Sequence, residues 1–132
     1  MNKISIIMGS QSDLVEVMLA ASEDKLSRMN NLDWDKRACV CVVCTSGGYP
    51  GNYEKGKEIS GLEEVAKIKD VVVFHAGTKK LAAKYVTNGG RVLGVTGLGN
   101  TIKDAIDKTY QAVQKINFAG MHYRKDIGAR AI

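Results

Sequence analysis

The chain has 132 residues, 45% hydrophobic and 25% charged, a balance that suits one folded domain and excludes a disordered or fibrous chain. Its net charge of +5 is uneven: residues 1–35 hold three basic against six acidic side chains, a local −3, so the remainder carries +8. No apolar run approaches the roughly 18 residues of a membrane helix. The stretch Ile4–Met8 is too short and wrongly flanked for a secretory signal, so a cytoplasmic protein with no membrane partner is expected.

Ser5 to Gly9 reads as a buried strand, and Gly9-Ser10-Gln11-Ser12-Asp13 leads from it into a helix with Ser12 or Asp13 as N-cap. Leu14, Met18, Ser22 and Leu26 recur every fourth residue with Val15 and Leu19 beside them, which predicts an amphipathic helix over 13–28. Asn30 to Asp35 reads as a loop, and Arg37 to Thr45 as a strand. The three cysteines, Cys39, Cys41 and Cys44, fall inside that strand. An odd number so close together is no disulfide framework, and zinc would need a fourth ligand from His75 or His122. They are expected to be buried thiols with no metal, Cys39 and Cys41 on one strand face and Cys44 on the other.

Ser46-Gly47-Gly48-Tyr49-Pro50-Gly51 ends the strand as an ordered loop. Ser60-Gly61-Leu62-Glu63 has capping-box spacing and predicts a short helix. Val71 to His75 reads as a strand. Lys84–Val86 and Arg91–Val95 flank Thr87-Asn88-Gly89-Gly90, which predicts a hairpin between them. Thr101 to Ile116 carries one apolar stripe through Ile102, Ala105, Ile106, Thr109, Ala112, Val113 and Ile116, the clearest helix in the chain. Gly120 closes it and residues 121–132 form a basic tail. Helices bracketing short strands with antiparallel signals predict an α+β fold with a small antiparallel sheet or half-barrel flanked by helices.

Four blocks carry a family resemblance: Ser46 to Gly56, His75-Ala76-Gly77-Thr78, Val86 to Leu93, and Gly120-Met121-His122-Tyr123-Arg124-Lys125-Asp126-Ile127-Gly128. In order and spacing they resemble the C-terminal domain of phosphoribosylamine–glycine ligase (glycinamide ribonucleotide synthetase), a purine-biosynthesis enzyme. With Ser12 to Glu16 the resemblance covers about residues 12–132. Residues 1–11 differ. Ser5 to Asp13 looks like the opening of the catalytic subunit of phosphoribosylaminoimidazole carboxylase, or carboxyaminoimidazole ribonucleotide mutase, whose Gly-Ser-x-Ser-Asp turn holds a nucleotide phosphate and ribose at a helix N-terminus. Ser10, Ser12 and Asp13 are therefore candidates for a phosphate turn. The implied organisation is a mutase-like segment 1–11, a helix and connector 12–35, and the synthetase C-domain 36–132, a fusion or truncation.

The ligase resemblance implies an ATP-grasp enzyme that activates glycine with ATP and magnesium in the full-length protein, with a C-terminal part like the family's hybrid-motif domain. The ATP-grasp domains should precede Ser12 and are missing, so this chain is expected to hold no cofactor, carry no catalytic residue and be inert alone. No Walker-type loop or Gly-x-Gly-x-x-Gly replaces them. The resemblance further implies that this domain closes on the cleft and helps hold a phosphoribosylated small molecule. Arg124 offers a planar fork for the phosphate and Lys125 a point charge; read as residues alone, the tail instead forms surface ion pairs, for instance with Asp126, and it is the resemblance that favours the phosphate. Arg91 is a second anion contact. His75 is either a satisfied strand-end histidine or, with Gly77 and Thr78, part of a substrate-facing loop. Gly48, Gly51 and Tyr53 are assigned to loop shape. Ala129 stands where the family commonly has histidine. The runner-up function is a mutase-type nucleotide-binding enzyme, which lacks the rest of its active site here. A nucleic-acid partner is not expected, because no dense basic patch with interleaved aromatics occurs. The Ile4–Met8 strand edge allows a homo-oligomer.

Overall fold

The computed structural model describes residues 11–28 and 35–132. The Ser5–Gly9 strand, Ser10 and most of the 30–35 loop lie outside them. The chain divides into two compact units, Met1–Lys36 and Arg37–Ile132.

In the first unit, helix α1 runs Gln11–Ser22 and a 3-10 turn follows at Leu26–Arg28. The helix therefore starts before Ser12 and Asp13, which lie in its first turn and not at its N-cap. It also stops short of residue 28. Asp24 takes a left-handed φ of 55°, and Lys25 N–H then reaches Ala20 O (2.8 Å) while Asp24 N–H faces Ala21 O (3.4 Å). This is a Schellman ending built on aspartate in place of the usual glycine, and it removes Leu26 from the stripe. Within this unit Val15, Met18 and Leu19 are exposed.

The second unit contains β1 (Ala38–Thr45), β2 (Glu58–Ile59), α2 (Leu62–Val65), β3 (Val71–His75), β4 (Thr78–Leu81), β5 (Lys84–Thr87), β6 (Arg91–Gly99), α3 (Ile102–Val113) and a 3-10 turn at Ala129–Ala131. The expected α+β class is observed as two three-stranded antiparallel sheets, ordered β1-β6-β3 and β2-β5-β4. β1 alternates, with Val40, Val42 and Cys44 buried and Cys39, Cys41 and Val43 exposed. The expectation of three buried thiols thus holds only for Cys44: α3 packs on the face of β1 that carries Val40, Val42 and Cys44, and the opposite face, with Cys39 and Cys41, is exposed.

Helix α3 lays Ala105, Thr109, Ala112 and Val113 into the core with Val42, Cys44, Val92, Leu93 and Val95. The buried Thr109 hydroxyl is held 2.6 Å from Ala105 O and 3.1 Å from Val40 O, which satisfies it. Thr101 and Asp104 form the capping box of α3: Asp104 N–H donates to Thr101 Oγ1 and Thr101 N–H to Asp104 Oδ2, both 3.1 Å. The box predicted at Ser60–Glu63 does not form. Gly61 is the N-cap of α2, with φ 84° and no side-chain cap, because Ser60 is engaged elsewhere: its hydroxyl and N–H both reach Asn117 O.

The predicted hairpin is also different. β5 pairs with β4 through the two-residue turn Ala82-Ala83, where Ala82 has φ 51°, and β6 pairs with β1 and β3. Asn88 to Gly90 instead carries the chain from one sheet to the other. Gly89 and Gly77 meet backbone to backbone: a Cβ on Gly77 would lie 2.7 Å from Gly89 Cα. Close approach, not a left-handed turn, requires these glycines. No helix among the described residues is long and apolar enough to cross a membrane.

Candidate functional site

The outward side of β1 forms the floor of a cavity of about 300 Å³, with Cys41, Val43 and Thr45 succeeding one another along it. Thr45 fixes one end. It is paired with Arg91 across β6, past a bulge at Cys44/Thr45, and with His122 on its other side. Thr45 N–H donates to His122 O (2.8 Å), His122 N–H to Thr45 O (3.0 Å), and the Thr45 hydroxyl reaches the same His122 oxygen (3.1 Å). Arg91, Thr45 and His122 thus stand in a row across three backbone segments and all line the cavity.

Two further segments complete the walls. Ser46 ties the glycine-rich loop to the sheet crossing through N–H to Gly90 O (2.8 Å) and hydroxyl to Gly89 O (2.9 Å). The Tyr49 ring packs against Gly90, where a Cβ would fall 2.0 Å from Tyr49 Cδ2, and meets Tyr53 edge-on (6.1 Å between centroids). Any larger residue at Gly90 would expel Tyr49 from the wall. The C-terminal segment is folded down by Tyr110 of α3, whose hydroxyl donates to Arg124 O (2.8 Å) and accepts from Ile127 N–H (3.0 Å). Tyr123, Arg124 and Ile127 line the cavity as a result.

Of the residues expected from sequence, Arg91 and Arg124 come together here. Arg124 is exposed and engaged two-pronged with Asp126, Nε to Oδ1 at 2.9 Å and Nη2 to Oδ2 at 2.6 Å. The hydrogen bonds from Arg124 hold the Asp126 carboxyl below its usual range. Lys125 is exposed and does not line the cavity. His75, Gly77 and Thr78 do not line it either. His75 Nδ1 lies 3.0 Å from Thr78 Oγ1 and its ring packs on Tyr85 (4.5 Å). The residue stays largely exposed, yet partial burial of the ring pushes its pKa down. These residues do meet Arg91 through the backbone: Gly77 N–H donates to Arg91 O (2.8 Å). Ser12 and Asp13 belong to the other unit, and Ser10 lies outside the described residues. Ala129 starts the exposed terminal 3-10 turn.

Sequence reasoning missed Tyr49, His122, Tyr123 and the Cys41–Val43–Thr45 face. The alternation of β1 placed Cys41 on a face opposite Cys44, but only the tertiary packing shows that face to be exposed. Among the described residues there is no group of three His, Cys, Asp or Glu that could hold a metal ion.

Two small antiparallel sheets, a capped helix and a cavity lined by two arginines define a small α+β domain. The profile described as "Phosphoribosylglycinamide synthetase, C domain" matches residues 39–130, and the chain belongs to that family. It is 50% identical over 119 residues to phosphoribosylamine–glycine ligase of Synechocystis, covering 90% of this chain and 28% of the relative. The ligase of Vibrio cholerae is 50% identical over 129 residues, covering 96% of this chain and 29% of the relative. A crystal structure of phosphoribosylamine–glycine ligase from Thermotoga maritima superimposes with TM-score 0.71 at 33% identity, covering 86% of this chain and 27% of that one. The chain therefore spans under a third of the length of the relatives it matches. A match over 96% of a 132-residue chain also enters the segment 1–11, beyond the 12–132 expected from the motifs.

Proposed function

We propose that this chain is the substrate-closing domain of a purine-biosynthesis ATP-grasp ligase, the enzyme that joins glycine to phosphoribosylamine, and that it binds the sugar phosphate at the Arg91–Arg124 cavity. The observation that carries this reading is the convergence of Arg91 of β6 with His122 and Arg124 of the C-terminal segment on one concave surface. Two guanidinium groups beside an imidazole suit a phosphate, which accepts paired hydrogen bonds from each arginine fork. The Arg124–Asp126 pair is exposed and therefore weak, so an arriving phosphate can take the place of Asp126. Gly77, with His75 and Thr78 behind it, has a positioning role: its N–H fixes the backbone of Arg91. Lys125 supplies attraction at a distance.

ATP and magnesium supply phosphoryl chemistry when bound to the ATP-grasp domains, which are the partner this domain needs; by itself it orients substrate and does not turn over. We place it in the cytoplasm with the rest of that pathway. The joining of a mutase-like start to residues 12–132 is a proposal about origin; an uninterrupted ligase reading frame through residue 14 at the source locus would remove it.

The test is to incubate the chain with ATP, magnesium, glycine and phosphoribosylamine, alone and with a separately expressed ATP-grasp portion. ADP release is expected only with both pieces; release by the chain alone would refute an inert module. Ribose 5-phosphate at millimolar concentration should shift the amide resonances of Arg91 and Arg124, and unshifted resonances would count against the phosphate site.

A further inference from the structure

The cavity beside β1 has two chemically different ends. Arg91, Thr45 and His122 make one end polar. Along β1 the next outward residue is Val43, 42% exposed, followed by Cys41, and Ile127 lines the same cavity. Val43 and Ile127 have no polar side-chain atom. A sugar laid against them would surrender its water hydrogen bonds without replacement. A flat unsaturated ring would instead exchange water for apolar and aromatic contact. The floor from Thr45 to Cys41 is four residues of strand, about 13 Å, longer than a sugar phosphate needs and matched to a sugar phosphate that also carries a base. The volume of about 300 Å³ is that of a small-molecule site.

We infer that the cavity binds a nucleoside monophosphate, its phosphate held by Arg91 with His122 and Arg124 and its base over Val43 and Cys41. For the anionic end this rests on the phosphate-holding role of Arg91 proposed above; the base site goes beyond it. A domain that holds a nucleotide in place of the sugar-phosphate substrate would report nucleotide level to the ligase by competition at the same arginine.

Calorimetric titration of the 132-residue chain with adenosine monophosphate, ribose 5-phosphate and adenosine separates the two readings. The monophosphate is expected to bind about tenfold tighter than ribose 5-phosphate, the worth of one stacked or buried base. Ribose 5-phosphate should displace it, and adenosine should bind far more weakly. V43N should erase most of the tenfold preference and leave ribose 5-phosphate affinity unchanged. V43S serves as the second variant, with circular dichroism confirming the fold of each. Equal affinities for the two phosphates would overturn the base site and leave the proposed function standing. No binding of either would overturn both. A preference that survives in both variants, or adenosine binding as tightly as its monophosphate, would overturn this assignment.

Discussion

Thr45 and His122 exchange backbone hydrogen bonds of 2.8 and 3.0 Å, so the last segment of the chain is clipped to the outer edge of the β1-β6-β3 sheet at one residue. Tyr110 provides the second clip, with its hydroxyl between Arg124 O and Ile127 N–H. What looks in sequence like a loose basic tail is thereby made into a cavity wall, and Arg124 lines the same cavity as Arg91.

Removing the second clip should loosen that wall without unfolding the domain. Y110F loses two hydrogen bonds and is expected to cost about 1–3 kcal/mol of stability, at the net worth of about 0.5–1.5 kcal/mol each. Urea denaturation measures the cost, and faster amide exchange confined to Arg124–Ile127 would locate it. A loss of helix signal would mean that Tyr110 serves α3 instead.

The two arginines should respond differently to substitution. R91A is expected to weaken ribose 5-phosphate binding by about tenfold or more, the worth of a charged hydrogen bond. D126A releases the Arg124 fork and should tighten binding while leaving the thermal midpoint unchanged. Weaker binding in D126A would show that Asp126 aims Arg124 rather than occupying it.

Thiol chemistry reads the face of β1 directly. Burial, reinforced by the neighbouring Cys41, pushes the Cys44 thiol up to about 11, whereas Cys41 is exposed on the cavity floor. At neutral pH iodoacetamide should modify Cys41 and spare Cys44 until the protein is unfolded. Peptide mass spectrometry gives the site, and ribose 5-phosphate or adenosine monophosphate at saturation should slow labelling of Cys41.

Two groups make stability depend on pH in separate windows. His75 has a folded pKa below its ordinary 6.5 because its ring is partly buried. The unfolded chain therefore takes up its proton first, and stability should fall as pH drops below 6.5; H75Q should flatten this part of the curve. Hydrogen bonds from Lys108 (3.2 Å) and Arg37 (2.7 Å) hold the Asp70 carboxyl below its ordinary 3.8. Its contribution is present above 3.8 and is lost as pH falls through the lower folded value, so D70N should remove the acid-side loss only. Thermal midpoints between pH 3 and 8 check both signs.

Sequence alone determined a good deal of this domain. The α3 stripe, the Val71–His75 strand, the β1 alternation and the four motif blocks are local patterns, written in neighbouring residues by the periods of helix and strand. They sufficed for the α+β class and the family. The tertiary structure decided the rest, because it depended on what each residue meets from afar. Asn88-Gly89-Gly90 carries a hairpin signature, yet the contact of Gly89 with Gly77 and the capture of Gly89 O and Gly90 O by Ser46 turn it into a crossing between sheets. Ser60 spells a capping box with Glu63, but Asn117 claims it. Asp24 ends α1 without any of the usual stop residues. The site itself was half legible: Arg91 and Arg124 stood out as residues, while their partnership, and the places of His122 and Tyr49 beside them, came from a sheet edge left uncovered by any strand and filled by the end of the chain.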